Sequence, residues 1–383
     1  MRPLEHNAAE LLRAAVKPRT AATAANISQL VRATSRWEEV VEGARKHGIL
    51  PLLYPRLIEN HESIPPDALL QAKREFERNA FHCMTNAEEL LQVLGAFQNA
   101  DIAAMPFKGV VLGASAYGDM TVRTAGDIDL LIRERDLHRA TELLKHRGYD
   151  LKTKTLEDGT PEAEDYFEFH FERASDGMVL ELRWKLELTQ PRYRHDLGLD
   201  WVWERRRRLR LAGAEVPNLD PVSSLLVLCM HGSKHAWSRW IWISDVAKLI
   251  ESESALDWEA ALREAKRVGL ERCLALGALL AWRGADANVP QDVLRRLEAD
   301  RDMNKLSDFL AGNVLENPGA MPEGRMPYHI RILGSRDRRR SILSLSFLRP
   351  NERDRAAIRL PRFLSPLYYV IRPFRMLLDR TAR

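Results

Sequence analysis

The chain has 383 residues, 45% hydrophobic and 29% charged, with a net charge of +4. That is the make-up of a folded globular protein with length for two or three domains or one large core. No stretch reaches the roughly 20 apolar residues of a membrane span, and three scattered cysteines, Cys83, Cys229 and Cys273, show no metal-ligand spacing and fit buried thiols in a reducing cytoplasm.

The N-terminus, MRPLEHNAAELLRAAV, lacks the apolar core of a signal peptide and reads as an amphipathic helix. Residues 1–100 continue as helices, with apolar positions recurring every three and four residues and Gly95 as the first interruption of the last segment. The period changes at 101. DIAAMPFKG is a short strand ending at Gly109, VVLGASAYGD a short helix, GDIDLLI a strand, and RDLHRATELLKHRGY a helix stopped by Gly148. DYFEFHFERA and MVLELRWKLEL then form a hairpin around Ser175, Asp176 and Gly177. Alternation puts Phe167, Phe169 and Phe171 on one face and Glu168 and His170 on the other; in the second arm Leu180, Leu182 and Trp184 oppose Glu181 and Arg183. ERRRRLR, 204–210, is a charge run suited to a solvated edge near a domain junction or to a nucleic-acid stripe. Asp220 and Pro221 form an N-cap and N1 pair, and helices run on to about 315. ENPGAMPEGRMP is a linker. Residues 321–383 carry 15 Arg against 5 acids, whereas the remaining body carries 43 Lys and Arg against 49 acids. An acidic body argues against a nucleic-acid partner. The basic tail, with Tyr368, Tyr369 and Phe374, suits either weak peripheral contact with an anionic membrane or a solvated face packed on the acidic body. The layout is of the α+β class: an N-terminal helical region (1–100), a small α/β core (101–215), a C-terminal helical region (216–315), and a linker with the basic aromatic tail (316–383).

Asp127 and Asp129 lie inside an apolar run with Ile128, Leu130, Leu131 and Ile132. Residues i and i+2 of a strand point the same way, about 7 Å apart at Cα. Two carboxylates that close call for a cation, and an all-oxygen set favours Mg²⁺ or Mn²⁺. The alternative is ion pairing with Arg123, Arg133 or Arg135. Glu181 becomes a third ligand if its strand pairs beside that of Asp127; otherwise it pairs with Arg183 or His170. Three carboxylates around a pair of divalent ions make a phosphoryl-transfer site. Upstream, Gly109 lets a phosphate approach a helix N-terminus. Lys108 adds a point charge or stands as an exposed lysine. Arg123 forks onto phosphate or bonds Asp119 or Asp127.

The stretches PFKGVVLGASAYGD, VRTAGDIDLLI, the hairpin with LELRW, and LCMHGSKHAWSRWIWISDVAKLI resemble the nucleotidyltransferase superfamily typified by DNA polymerase beta. More closely, they resemble its bacterial uncharacterised nucleotidyltransferase-like family, over about residues 80–250. The resemblance implies a mixed sheet with flanking helices, Mg²⁺ dependence, NTP binding, and transfer of a nucleotidyl group to an acceptor hydroxyl with release of pyrophosphate. Asp127 and Asp129 match the metal-binding pair, and Glu181 matches the third carboxylate by position. This chain has Lys108-Gly109 where the superfamily usually has Gly-Gly or Gly-Ser, and a longer path to Asp127, along which Ser115 is a displaced candidate for the phosphate-binding hydroxyl. The Lys-Gly turn also suits a non-catalytic module of the same fold that binds a nucleotide or a partner.

His231 and His235 are four apart on one helical face. Gly232 stands where a zinc protease has its glutamate, which removes that reading. The two histidines either cap a helix corner with Trp237 and Trp242 or, with His170, line the acceptor side of the cleft. Asp245 is expected to hydrogen-bond within the same motif. The resemblance leaves the acceptor open among small molecules, sugars and peptides.

Overall fold

The structure, a computed structural model, describes residues 4–153, 167–186 and 200–314, and isolated positions among 328–372. The chain opens with helices α1 (His6–Ala15), α2 (Ala21–Ala33), α3 (Trp37–Lys46), α4 (Leu50–Ile58) and α5 (Pro66–Asn99), the last entered through a proline at its first turn. Then follow β1 (Ala104–Pro106), α6 (Gly109–Ala116), β2 (Ile128–Ile132), α7 (Leu137–His146), β3 (Tyr149–Leu151), β4 (Glu168–Arg173) and β5 (Met178–Arg183). A second β element, β6 (Arg207–Leu211) with β7 (Ala214–Asn218), follows the short α8 (Asp200–Glu204). Helices α9 (Pro221–Lys234), α10 (Trp240–Ser252), α11 (Trp258–Val268), α12 (Glu271–Ala285), α13 (Gln291–Glu298) and α14 (Arg301–Asn313) complete the described body. None of the described helices is long and apolar enough to cross a membrane.

The main sheet has strand order β1-β2-β5-β4-β3, with β2 and β5 parallel and the other pairs antiparallel. This is the mixed α+β architecture that the family resemblance implied. The β4–β5 hairpin closes where Gly177 takes a positive φ of 69° and the Asp176 carboxylate accepts from the Met178 N–H, the Asp-Gly turn chemistry read from the sequence. Helix α9 starts where the Asp220 side chain accepts from the N–H groups of Val222 and Ser223, with Pro221 at N1.

Two apolar cores form. One joins the N-terminal helices to the C-terminal ones, through Leu11, Leu53, Leu225, Trp240 and Leu276. The other lies under the sheet, through Phe97, Leu130, Phe169 and Leu180. Helix α5 serves both, burying Ala72 in the first and Val93 and Phe97 in the second. The helical regions before and after the sheet thus share one core.

Two strands depart from the sequence reading. In the run Glu204–Arg210, Glu204 ends α8 and Arg207 begins β6, one arm of a hairpin: Arg208 and Arg210 face solvent while Leu211 is buried, and Ala212 and Gly213 turn with φ of 46° and 88°. Period-2 alternation was present there but hidden by the density of arginine. Tyr149–Leu151, just past the Gly148 stop and given no element in the sequence reading, is the edge strand β3. In the tail, Tyr368 is buried with its hydroxyl donated to the Ile358 carbonyl, and Tyr369 is exposed; Phe374, the 316–327 linker and most of the basic segment lie outside the described residues.

Candidate active site

The polar end of the sheet is set by register. Asp129 on β2 lies opposite Glu181 on the parallel β5, and Glu181 lies opposite His170 on β4. Asp127 immediately precedes β2. One carboxylate oxygen from each of Asp127, Asp129 and Glu181 falls within 4.8 Å of the others. The apolar neighbours fix this: Ile128 and Leu130 are buried in the sheet core, so the aspartates between them share the opposite face.

The phosphate-type turn sits beside them. The Phe107 N–H donates to the Asp129 carbonyl (3.2 Å), extending the β1–β2 ladder to the turn. Lys108 and Gly109 then both take positive φ, 59° and 47°. With ψ at −151°, Lys108 occupies a region that side chains disfavour, a strain of about 1–3 kcal/mol that is concentrated at functional sites. A Cβ on Gly109 would lie 3.4 Å from the Asp127 carbonyl oxygen, so the turn packs directly on the carboxylate loop.

The charges are unevenly compensated. Lys108 Nζ lies 2.9 Å from Asp129 Oδ1, with both side chains at least 92% buried (8% and 2% exposed). Lys108 is therefore not the exposed lysine of the alternative reading. Arg183 Nε is 3.5 Å from the same oxygen, and its two terminal nitrogens pair with Glu168 and Glu181. Burial works against the Asp129 carboxylate, but Lys108 and Arg183 together hold its pKa below the usual range. Asp127 makes no ion pair among the described residues. Burial first, then repulsion from Asp129 and Glu181, push its pKa up to about 6. A partly buried carboxylate lacking its own counter-ion, beside two more within ligand distance, is a donor set that fits a hard divalent cation.

Arg123 differs from expectation. It pairs with neither Asp119 nor Asp127: its Nε and Nη2 each donate to Asp245 at 2.8 Å, and Nη1 donates to the Thr124 carbonyl at 3.1 Å. Tyr117 adds a hydroxyl donated to Asp245 Oδ1 (2.8 Å). With Arg123 6% and Asp245 1% exposed, the fork is filled and the pair clamps the loop before Asp127 onto α10. Ser115 is six residues past Gly109, about 9 Å along the helix axis, and lines a small cavity with Phe107 and Lys108 of the turn and with Leu112, Asn218 and Ser224.

His231, His235 and Trp242 form an aromatic cluster with ring centroids 4.8–5.4 Å apart. Burial, then Lys108, His235 and Arg183, push the pKa of His231 well below the usual value. His170 Nδ1 is 4.0 Å from Glu181 Oε1. Gly232 has a steric cause: a Cβ there would meet the buried Trp237 ring at 2.5 Å. Trp237 and Trp240 are core residues.

A sequence profile described as "Uncharacterised nucleotidyltransferase" matches residues 33–285. The chain belongs to that family. No curated protein matches it. Among solved structures, the lincosamide antibiotic adenylyltransferase LnuA, lincomycin-bound, is 12% identical, covering 36% of this chain and 83% of its own, at a TM-score of 0.27. An antigenic nucleotidyltransferase-like protein from Paracoccidioides brasiliensis is 17% identical, covering 50% and 92%, at 0.31. The family is one of nucleotidyl transfer, and the Asp127, Asp129 and Glu181 group is compatible with a divalent metal.

Arg183 and Asp245 are the residues that sequence reasoning underweighted. Arg183 was visible as a partner for Glu181, since it lies two residues along the same strand face. Its reach to Asp129 depends on β2 and β5 being neighbours. The pairing of Asp245 with Arg123, 122 residues away, left no local signal.

Proposed function

We propose that the protein is a divalent-cation-dependent nucleotidyltransferase, using Mg²⁺ or Mn²⁺, that moves a nucleoside monophosphate from an NTP to the hydroxyl of a small molecule, a sugar or a peptide and releases pyrophosphate. The observation that carries this reading is the approach of Asp127, Asp129 and Glu181 to within 4.8 Å beside the Gly109 turn, in a chain of this family.

Asp127, Asp129 and Glu181 would hold the cation. Bound there, it supplies charge neutralisation for the triphosphate and makes the acceptor hydroxyl easier to deprotonate. The chain's own residues supply the rest. Gly109 admits the triphosphate close to the backbone, and the N–H groups of Val110 and Val111 in the first turn of α6 donate to its oxygens. The Lys108 ammonium and the Arg183 guanidinium, already beside Asp129, add fixed positive charge where negative charge gathers in transfer. His170, 4.0 Å from Glu181 Oε1, and the His231 and His235 rings, packed with Trp242, orient the acceptor. Arg123 acts through position: its pair with Asp245 fixes the loop that presents Asp127.

A non-catalytic nucleotide- or partner-binding module is favoured by one feature, the Lys108 ammonium seated on Asp129. Pyrophosphate release separates the two. With Mg²⁺, each NTP in turn and pooled small-molecule and peptide fractions as acceptor, the enzyme reading expects release that Asp127→Asn and Asp129→Asn abolish. Release that survives both substitutions would overturn it, and nucleotide binding without release from any NTP would select the module.

A further inference from the structure

We infer that the protein carries a second binding site, a groove between α5 and the β6–β7 hairpin that takes an amphipathic organic phosphate, a phosphate monoester on an apolar body. The groove encloses about 640 Å³, within the size range of small-ligand sites. It lies away from the carboxylates: it is lined by Ala104, which pairs with Ile132 on β2, three residues or about 10 Å of strand past Asp129. One wall is a single stripe of α5, where Leu91, Leu94, Gly95 and Gln98 recur at three- and four-residue spacing and so share a helix face. The opposite wall is the hairpin, with Arg208 on β6 facing Pro217 on β7 and Arg206 just before the strand. Ile102 and Val216, both buried in the sheet core, give it an apolar base.

Two features of these walls point to a ligand. Gly95 lies inside α5, where a Cβ would meet nothing within 4 Å. Glycine inside a helix costs about 0.5–1 kcal/mol relative to alanine, and no neighbour among the described residues requires it here. Its bare backbone leaves room for an apolar body lying along the α5 stripe. The arginine run supplies the second feature. Arg207 pairs with Glu253, and Arg206 donates to the Trp203 carbonyl (2.7 Å), but the exposed Arg208 side chain makes no hydrogen bond or ion pair among the described residues. Two acids also line the groove. Glu215 lies opposite Arg210 on the hairpin ladder, and Asp101 stands just past the end of α5. The arginines outnumber them, and a guanidinium fork matches the oxygens of a phosphate head.

The test is calorimetric titration of the full-length protein with decyl phosphate below its micelle concentration, 1-naphthyl phosphate and inorganic phosphate, each alone. Saturable binding at one site per chain is expected for at least one of the two esters, the tighter one telling a chain from a ring. Inorganic phosphate is expected to bind at least about tenfold more weakly, because it lacks the apolar body. Gly95→Leu fills the groove from a position with open space. It is expected to keep or raise the melting temperature and to weaken the tighter ester at least about tenfold; Gly95→Gln takes its place if it fails to fold. Arg208→Glu reverses the unpaired charge and is expected to weaken the ester by about the same factor. Absence of saturable binding by both esters overturns the proposal. So does inorganic phosphate binding as tightly as the esters, or ester affinity unchanged in either variant, which would put the ligand elsewhere. A dimer in sedimentation that Gly95→Leu dissociates would assign the groove to a second copy of the chain and likewise overturn it.

Discussion

Replacing Asp245 by Ala separates a structural Arg123 from a phosphate-binding one. In the structure the Arg123 guanidinium makes two 2.8 Å bonds to Asp245 and is only 6% exposed. Removing the carboxylate leaves a buried, uncompensated cation and also strips Tyr117 of its 2.8 Å acceptor. Breaking a buried pair from one side costs about 3–5 kcal/mol, whereas replacing both partners by apolar groups of similar size is often close to neutral. Asp245→Ala is therefore expected to lose about 3–5 kcal/mol in urea unfolding followed by tryptophan fluorescence. Arg123→Met combined with Asp245→Leu is expected to recover most of that loss and to bind Mg²⁺-NTP within about threefold of the parent, since no phosphate contact is removed. A loss below about 1 kcal/mol in the single variant would refute the clamp. So would a collapse of nucleotide affinity in the stable double variant, which would return Arg123 to the phosphates.

Gly232→Ala puts a methyl group 2.5 Å from the Trp237 ring, which is itself fully buried, and is expected to destabilise the fold by about 1–3 kcal/mol by overpacking, seen as a lower melting temperature. Glu181→Gln removes one ligand charge while keeping the side chain's shape, and is expected to weaken Mn²⁺ binding at least about tenfold by calorimetry; unaltered affinity would remove Glu181 from the site. The metal-free protein should also become less stable as pH rises through the range from about 4 to 6. Asp127 is a weaker acid when folded, at about 6 against an ordinary 3.8, so the folded state keeps a proton that the unfolded chain has lost, and that advantage fades as pH passes the folded value. The expected loss between pH 5 and pH 7 is about 1 kcal/mol relative to Asp127→Asn, and parallel stability profiles for the two proteins would contradict it.

Local periodicity made much of this molecule legible in the sequence. The apolar flank of Ile128 and Leu130 fixed the face shared by Asp127 and Asp129, and alternation along the hairpin put Glu181 on the polar face with His170. The Asp220-Pro221 start of α9 was likewise written in adjacent residues. What stayed hidden depends on which elements become neighbours. Arg123 had several acidic residues close in sequence, yet its partner arrives from α10. Lys108 read as a phosphate contact or an exposed lysine, because nothing local says that its side chain turns onto Asp129. The β6–β7 hairpin was masked because arginines fill its solvent-facing positions and made the segment resemble an unstructured charge run. Gly232 could be read as a departure from a metal motif, but its cause is the Trp237 ring, brought over it by a left-handed turn at Ala236 and Trp237.

The central claim is that Asp127, Asp129 and Glu181 join a divalent cation to a nucleotide. Calorimetric titration of ATP, GTP, CTP and UTP into the protein, with Mg²⁺ and again with EDTA, addresses it most directly. At least one nucleotide is expected to bind with Mg²⁺, to lose that binding in EDTA, and to lose it again in Asp127→Asn. Absence of binding by all four, or binding indifferent to both EDTA and Asp127→Asn, would contradict the claim.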